Sequence, residues 1–111
     1  MDQLEIDIAD VPPGRRGGYA TELREFLLAE GGVAQIDIVR SDPGKQDLGA
    51  TLIIAAGAAA IAVAKGLQKW VAKRNTSSVI VKCGKGKEVR VTNISGKRAD
   101  ELARELSEIC G

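Results

Sequence analysis

The 111-residue chain predicts a single small domain of the α+β or α/β class, with element order β-α-β-α-β-β-α, a four-stranded mixed sheet and three helices. Three observations predict it: alternating apolar residues in two early segments, two β-branched runs around a Gly/Lys turn, and helical spacing of apolar residues in the stretches between and after them.

The first strand is residues 4–8, where Leu4, Ile6 and Ile8 share one face and Glu5 and Asp7 the other. A loop is expected over 11–18, because two prolines and three glycines there continue neither a ladder nor a helix. Residues 19–30 follow as a helix: Tyr19, Leu23, Phe26 and Leu27 form its apolar stripe, Glu22, Arg24 and Glu25 face elsewhere, and Gly31-Gly32 ends it. Residues 34–39 repeat the strand alternation with Ile36 and Ile38, and Asp42-Pro43-Gly44 turns the chain.

Residues 48–64 hold no charged side chain, and they run into an amphipathic segment ending at Arg74. The sequence reads this as one long, Ala-rich central helix, N-capped by Asp47 and bent at Gly57 or Gly66. In its second half Val63, Leu67, Trp70 and Val71 form a core stripe, while Lys65, Lys69 and Lys73 repeat every four residues on another face. Two fates are open to it. The run falls short of the roughly 20 apolar residues that cross a bilayer and is rich in alanine, which favours a buried helix. Insertion or docking of 48–71 on lipid is the alternative.

Residues 79–83 and 88–92 form an antiparallel hairpin around Gly84-Lys85-Gly86-Lys87. That turn lacks the spacing and the following helix of a phosphate loop. The closing helix keeps Ala99, Leu102, Ala103, Leu106 and Ile109 on one face, with Asp100 and Arg104 as an i, i+4 pair.

Composition narrows function. With no histidine there is no Ser/His or Cys/His couple, and two cysteines do not complete a usual zinc site, so neither catalysis nor a cofactor is expected. Cys83, beside Lys82 and Lys85, has the surroundings of an activated thiol but no base, and reads as a small partly buried residue; Cys110 closes the last helix. Their wide separation and the acidic N-terminus indicate the cytoplasm. Charge is unevenly placed: residues 65–90 hold eight Lys or Arg against Glu88 alone. From these, Lys69, Lys73, Arg74, Lys82, Lys85, Lys87 and Arg90 are the candidate partner-binding residues, read as one basic face. Base-stacking aromatics are missing there, since Trp70 sits in the apolar stripe, so nucleic acid is not the expected partner.

A family resemblance adds to this. Leu23-Arg24-Glu25-Phe26-Leu27, Asp42-Pro43-Gly44, Leu48-Gly49-Ala50, Leu67-Gln68-Lys69-Trp70-Val71-Ala72-Lys73-Arg74 and the hairpin, spread over residues 21–109, resemble the effector-associated constant component domain of bacterial conflict systems. The resemblance implies a non-catalytic component encoded beside an effector, such as a trypsin-like or caspase-like protease or a signalling ATPase, and coupling it to a sensor in antiviral or self-killing defence. It carries over no catalytic residue. The family's hairpin often has an acidic turn where this chain has Gly84-Lys85-Gly86-Lys87, so charge-based recognition differs here.

Overall fold

The structure, a computed structural model, describes residues 3–9, 16–33, 35–40, 50–55, 59–74, 77–83, 87–92 and 98–110. Its elements are β1 (Leu4–Ala9), α1 (Arg16–Ala29), β2 (Ile36–Arg40), β3 (Ala50–Ile54), α2 (Ala60–Lys73), β4 (Ser78–Lys82), β5 (Glu88–Val91) and α3 (Ala99–Cys110).

The sheet runs β2-β3-β1-β4-β5 and every neighbouring pair is antiparallel. Because β1 and β2 both oppose β3, they are parallel to each other; β3 and β4, both opposing β1, are likewise parallel. β1-α1-β2 and β3-α2-β4 are therefore two interlocked split crossovers, the ferredoxin-like β-α-β-β-α-β arrangement, extended at the β4 edge by β5 and α3.

Alternation decides which face is which. Across one face the register sets Leu4 beside Ile54, Ile6 between Leu52 and Val81, and Ile8 beside Val79, which itself pairs with Val91. These side chains are buried, and with Leu23, Leu27, Val63, Leu67, Trp70, Leu102 and Leu106 of the helices they make one core. The opposite face carries Glu5, Asp7, Asp37, Val39, Lys82, Glu88 and Arg90 at the intervening positions.

The expected long central helix is the main correction. Residues 50–54 are a strand, so the sheet has five strands rather than four and is antiparallel rather than mixed; the helix begins at Ala60. The cause is position. β3 lies inside the sheet between β2 and β1, with Leu52 and Ile54 in the core and Thr51 and Ile53 half-buried on the other side, so no polar alternation marks it. Asp47 and Gly57 lie outside the described residues, and the N-cap is Ala59, which caps with no side chain. Instead Ala59 donates its N–H to the Gly32 carbonyl at 3.0 Å, tying the start of α2 to the turn after α1.

A helix of 14 residues rises only ~21 Å, and among the described residues none is long and apolar enough to cross a membrane. The alternative of a lipid-inserted helix over 48–71 therefore has no such helix behind it: the described residues of that stretch belong to β3 and α2 and the positions beside them.

Other boundaries moved less. Residues 16–18, assigned to the loop, form the first turn of α1, where the N–H groups need no intrahelical acceptor and glycine costs little. The turns at Asp42-Pro43-Gly44 and 84–86 lie outside the described residues. The hairpin and closing helix form as the sequence predicts, although Arg98, not Arg104, takes the Asp100 carboxylate, at 2.8 Å. Cys83 is buried, as expected; it is also disulfide-bonded, which departs from the free thiol of a reducing compartment.

Gly66 lies inside α2, which runs unbroken from Ala60 to Lys73. It lets α1 and α2 touch: a Cβ there would stand 2.7 Å from Leu27 Cδ2 and 3.1 Å from Leu27 Cα. Gly66→Ala gains about 1 kcal/mol of helix propensity, but pushing against a backbone atom costs about 1–3 kcal/mol. The melting temperature is therefore expected to fall, and a rise on thermal denaturation would show the helices free to separate.

Candidate functional site

The candidate surface is built on α2, which packs between α1 and α3. Its inner side buries Ala62, Val63, Ala64, Gly66, Leu67, Trp70 and Val71. One turn apart on the outer side stand Ile61, Lys65, Lys69 and Lys73, all exposed. Ile61 and Val39 are the exposed large hydrophobics among the described residues.

Beneath the C-terminal end of this ridge lies a clasp between α1 and α2. Glu22, half-buried on α1, accepts from Trp70 Nε1 at 2.9 Å, from Arg74 Nε at 2.8 Å and Nη2 at 2.9 Å, and from Lys73 Nζ at 3.1 Å. The Arg74 guanidinium lies 4.6 Å from the Tyr19 ring centre, and Tyr19 meets Trp70 edge-on at 5.9 Å. Lys73 Nζ stands 5.5 Å from the Phe26 ring. One turn towards the start of α2, Lys69 pairs with Glu30 at 2.6 Å.

The hydrogen bond from Arg74, opposed by partial burial and aided by Lys73, lowers the Glu22 pKa to about 2, and the same bond raises that of Arg74. Glu22 is therefore a fixed anion at neutral pH, and its role is to hold two helices and a buried indole together.

The seven candidate residues do not make one face. Lys69 and Lys73 sit on the ridge, and Arg74 beside it is largely taken up by Glu22. Lys82 and Arg90 are on the far side of the sheet, where Lys82 lies 3.6 Å from Asp7 and Arg90 donates to Ser78 Oγ at 3.0 Å. Lys87 is exposed just before β5, and Lys85 lies outside the described residues. The separation was readable: Lys82 and Arg90 alternate with buried Val81, Val89 and Val91, so a helix layer over those valines puts the cations away from it.

Lys65 was counted in the basic stretch but omitted from the candidates. It has no ion pair among the described residues, whereas Lys69 and Lys73 each share a carboxylate. The acids that take up those charges are Glu22 on α1 and Glu30 in the turn that follows it; reading Glu22 as facing elsewhere missed its contact with α2.

Fold and surface together describe a small α+β domain whose charged residues tie elements to one another or stand in a row on one helix. The chain belongs to the Effector Associated Constant Component 1 family, whose model matches residues 13–109. No curated relative and no solved structure gives a significant match.

Proposed function

We propose that this domain is a non-catalytic adaptor or regulatory component that binds an effector or sensor protein of a bacterial defence system. The observation that carries the reading is membership, over nearly the whole chain, of a family described by its association with effectors. The partner is an effector such as a trypsin-like or caspase-like protease, or a signalling ATPase.

The contact is made by the α2 ridge. Ile61 supplies an apolar anchor and Lys65, Lys69 and Lys73 supply three cations at one-turn spacing, a pattern matched by an acidic surface with an apolar pocket. Lys82 and Arg90 face away and take no part.

The test is co-purification from native cells, followed by titration of the captured partner. Ile61→Asp combined with Lys65→Glu is expected to weaken binding about tenfold or more at low salt, and raising the salt is expected to weaken the parent complex too. Lys82→Glu with Arg90→Glu is the control on the far face. Equal loss in both double variants, or none in the first, removes the ridge from the contact. Alkylating the protein inside intact cells and counting blocked thiols checks the compartment: a bonded Cys83 there argues against the cytoplasm.

A further inference from the structure

We infer that β2 is a self-association edge, at which a second copy of this chain adds its own β2 antiparallel, with the twofold axis passing beside Val39. The inference concerns a different surface from the α2 ridge and stands independently of the effector reading.

The first observation is the direction of the backbone groups. β2 is an outer strand of the sheet. Ala55 donates its N–H to the Gln35 carbonyl, so Gln35 is turned towards β3. By strict alternation Asp37 and Val39, opposite Ile53 and Thr51, turn the same way, and Ile36, Ile38 and Arg40 present their N–H and C=O groups outward. Among the described residues no hydrogen bond takes up those of Ile38 and Arg40; an outer strand in this state is a template for pairing.

The second is Arg24. From α1 it reaches the strand and donates Nε to the Ile36 carbonyl at 2.9 Å, so one outward acceptor is already taken. The third is Val39, on the open face of the sheet and 50% exposed.

Together these select one twofold register. An axis at Asp37 would pair Ile36 with Ile38, evict Arg24, and set two Asp37 carboxylates directly opposite each other. An axis at Ile38 would pair Ile36 with Arg40 and again require the Ile36 carbonyl. With the axis at Val39, Ile38 of each copy exchanges both hydrogen bonds with Arg40 of the other, Arg24 keeps its acceptor, and the acids are kept apart. Val39 then faces its twin in the close, non-hydrogen-bonded position, each covering the apolar surface of the other. With a formal charge of +1 per chain, two copies repel weakly. The product is a continuous ten-stranded sheet with all helices on one side, leaving the α2 ridges of both copies exposed.

Sedimentation of the native chain over the micromolar range tests the association, and cysteine cross-linking tests the register. The parent is expected to show a concentration-dependent dimer, and Val39→Asp, which opposes two carboxylates, to weaken it about tenfold or more while the circular dichroism spectrum stays unchanged. Val39→Cys is expected to give a covalent dimer on mild oxidation that reduction dissolves, since directly opposed Cβ atoms at this position lie within disulfide reach. Asp37→Cys, four residues out of register with its twin, is expected to give little more than the parent background. A parent that stays monomeric, a dimer insensitive to Val39→Asp, or cross-linking at Asp37→Cys equal to that at Val39→Cys would each overturn the proposal. An edge filled by another protein's strand would show the first of these results.

Discussion

Trp70→Ala is expected to lower stability by about 3–5 kcal/mol, the range for removing a fully buried large aromatic. Trp70 is the largest fully buried side chain among the described residues, and it makes both a ring contact and a hydrogen bond to α1. Its loss leaves a cavity beside Tyr19 and takes away one of the donors on Glu22. Trp70→Phe separates the two terms. It keeps most of the buried ring and loses only the N–H, and because Glu22 retains Arg74 and Lys73 it is expected to cost about 1–2 kcal/mol. Urea unfolding followed by far-ultraviolet circular dichroism reads both variants, since the substitutions remove the chain's single tryptophan as a reporter. Equal midpoints for Ala and Phe would mean that the cavity collapses and the hydrogen bond carries the effect.

Glu22→Ala is expected to cost about 1–3 kcal/mol, the penalty for leaving the buried Trp70 N–H without its acceptor; the ion pairs add little, because Lys73 and Arg74 reach water. Glu22→Gln retains an acceptor for the indole and is expected to fall between Ala and the parent. Acid gives the same answer without mutation. The native pKa of about 2 lies below the ordinary 4.5, so the stabilisation is fully present above pH 4.5 and is lost as pH falls from there through about 2. In the Glu22→Gln variant this part of the acid sensitivity is expected to vanish. Parallel curves of stability against pH for parent and variant would show that Glu22 does not carry it.

What the sequence disclosed depended on whether a segment had a wet side. β1, the β4-β5 hairpin, the core side of α1 and both sides of α3 could be read, because each alternates or repeats between core and solvent. β3 could not. A strand flanked on both sides by other strands, with alanine and isoleucine at either end and two half-buried residues on its outer face, has the composition of a buried helix. Thr51, Ile53 and Ile54 were the available signal, three β-branched residues in four positions, and they were outweighed by the alanines that follow. The site was half legible for a related reason. Lysines one turn apart mark an exposed helix side whatever the fold, so the ridge was visible in advance. Which carboxylates meet those lysines depends on how α1 crosses α2, and that crossing is fixed by the Gly66 and Leu27 contact, which no spacing reveals.

The place of β1 in the sheet bears on how the chain is made. Of this domain's strands the first to be synthesised becomes the middle of the sheet, yet Leu4 waits for Ile54 and Glu5 for Lys82. Until β3 and β4 follow, Leu4, Ile6 and Ile8 have no ladder to join, and α1 and β2 emerge before the strand that will separate β1 from β2. Neither split crossover can close early. The domain therefore assembles late and at once, from contacts distant in sequence, and its nascent form carries an uncovered apolar strand that a chaperone, or a partner translated nearby, has time to find.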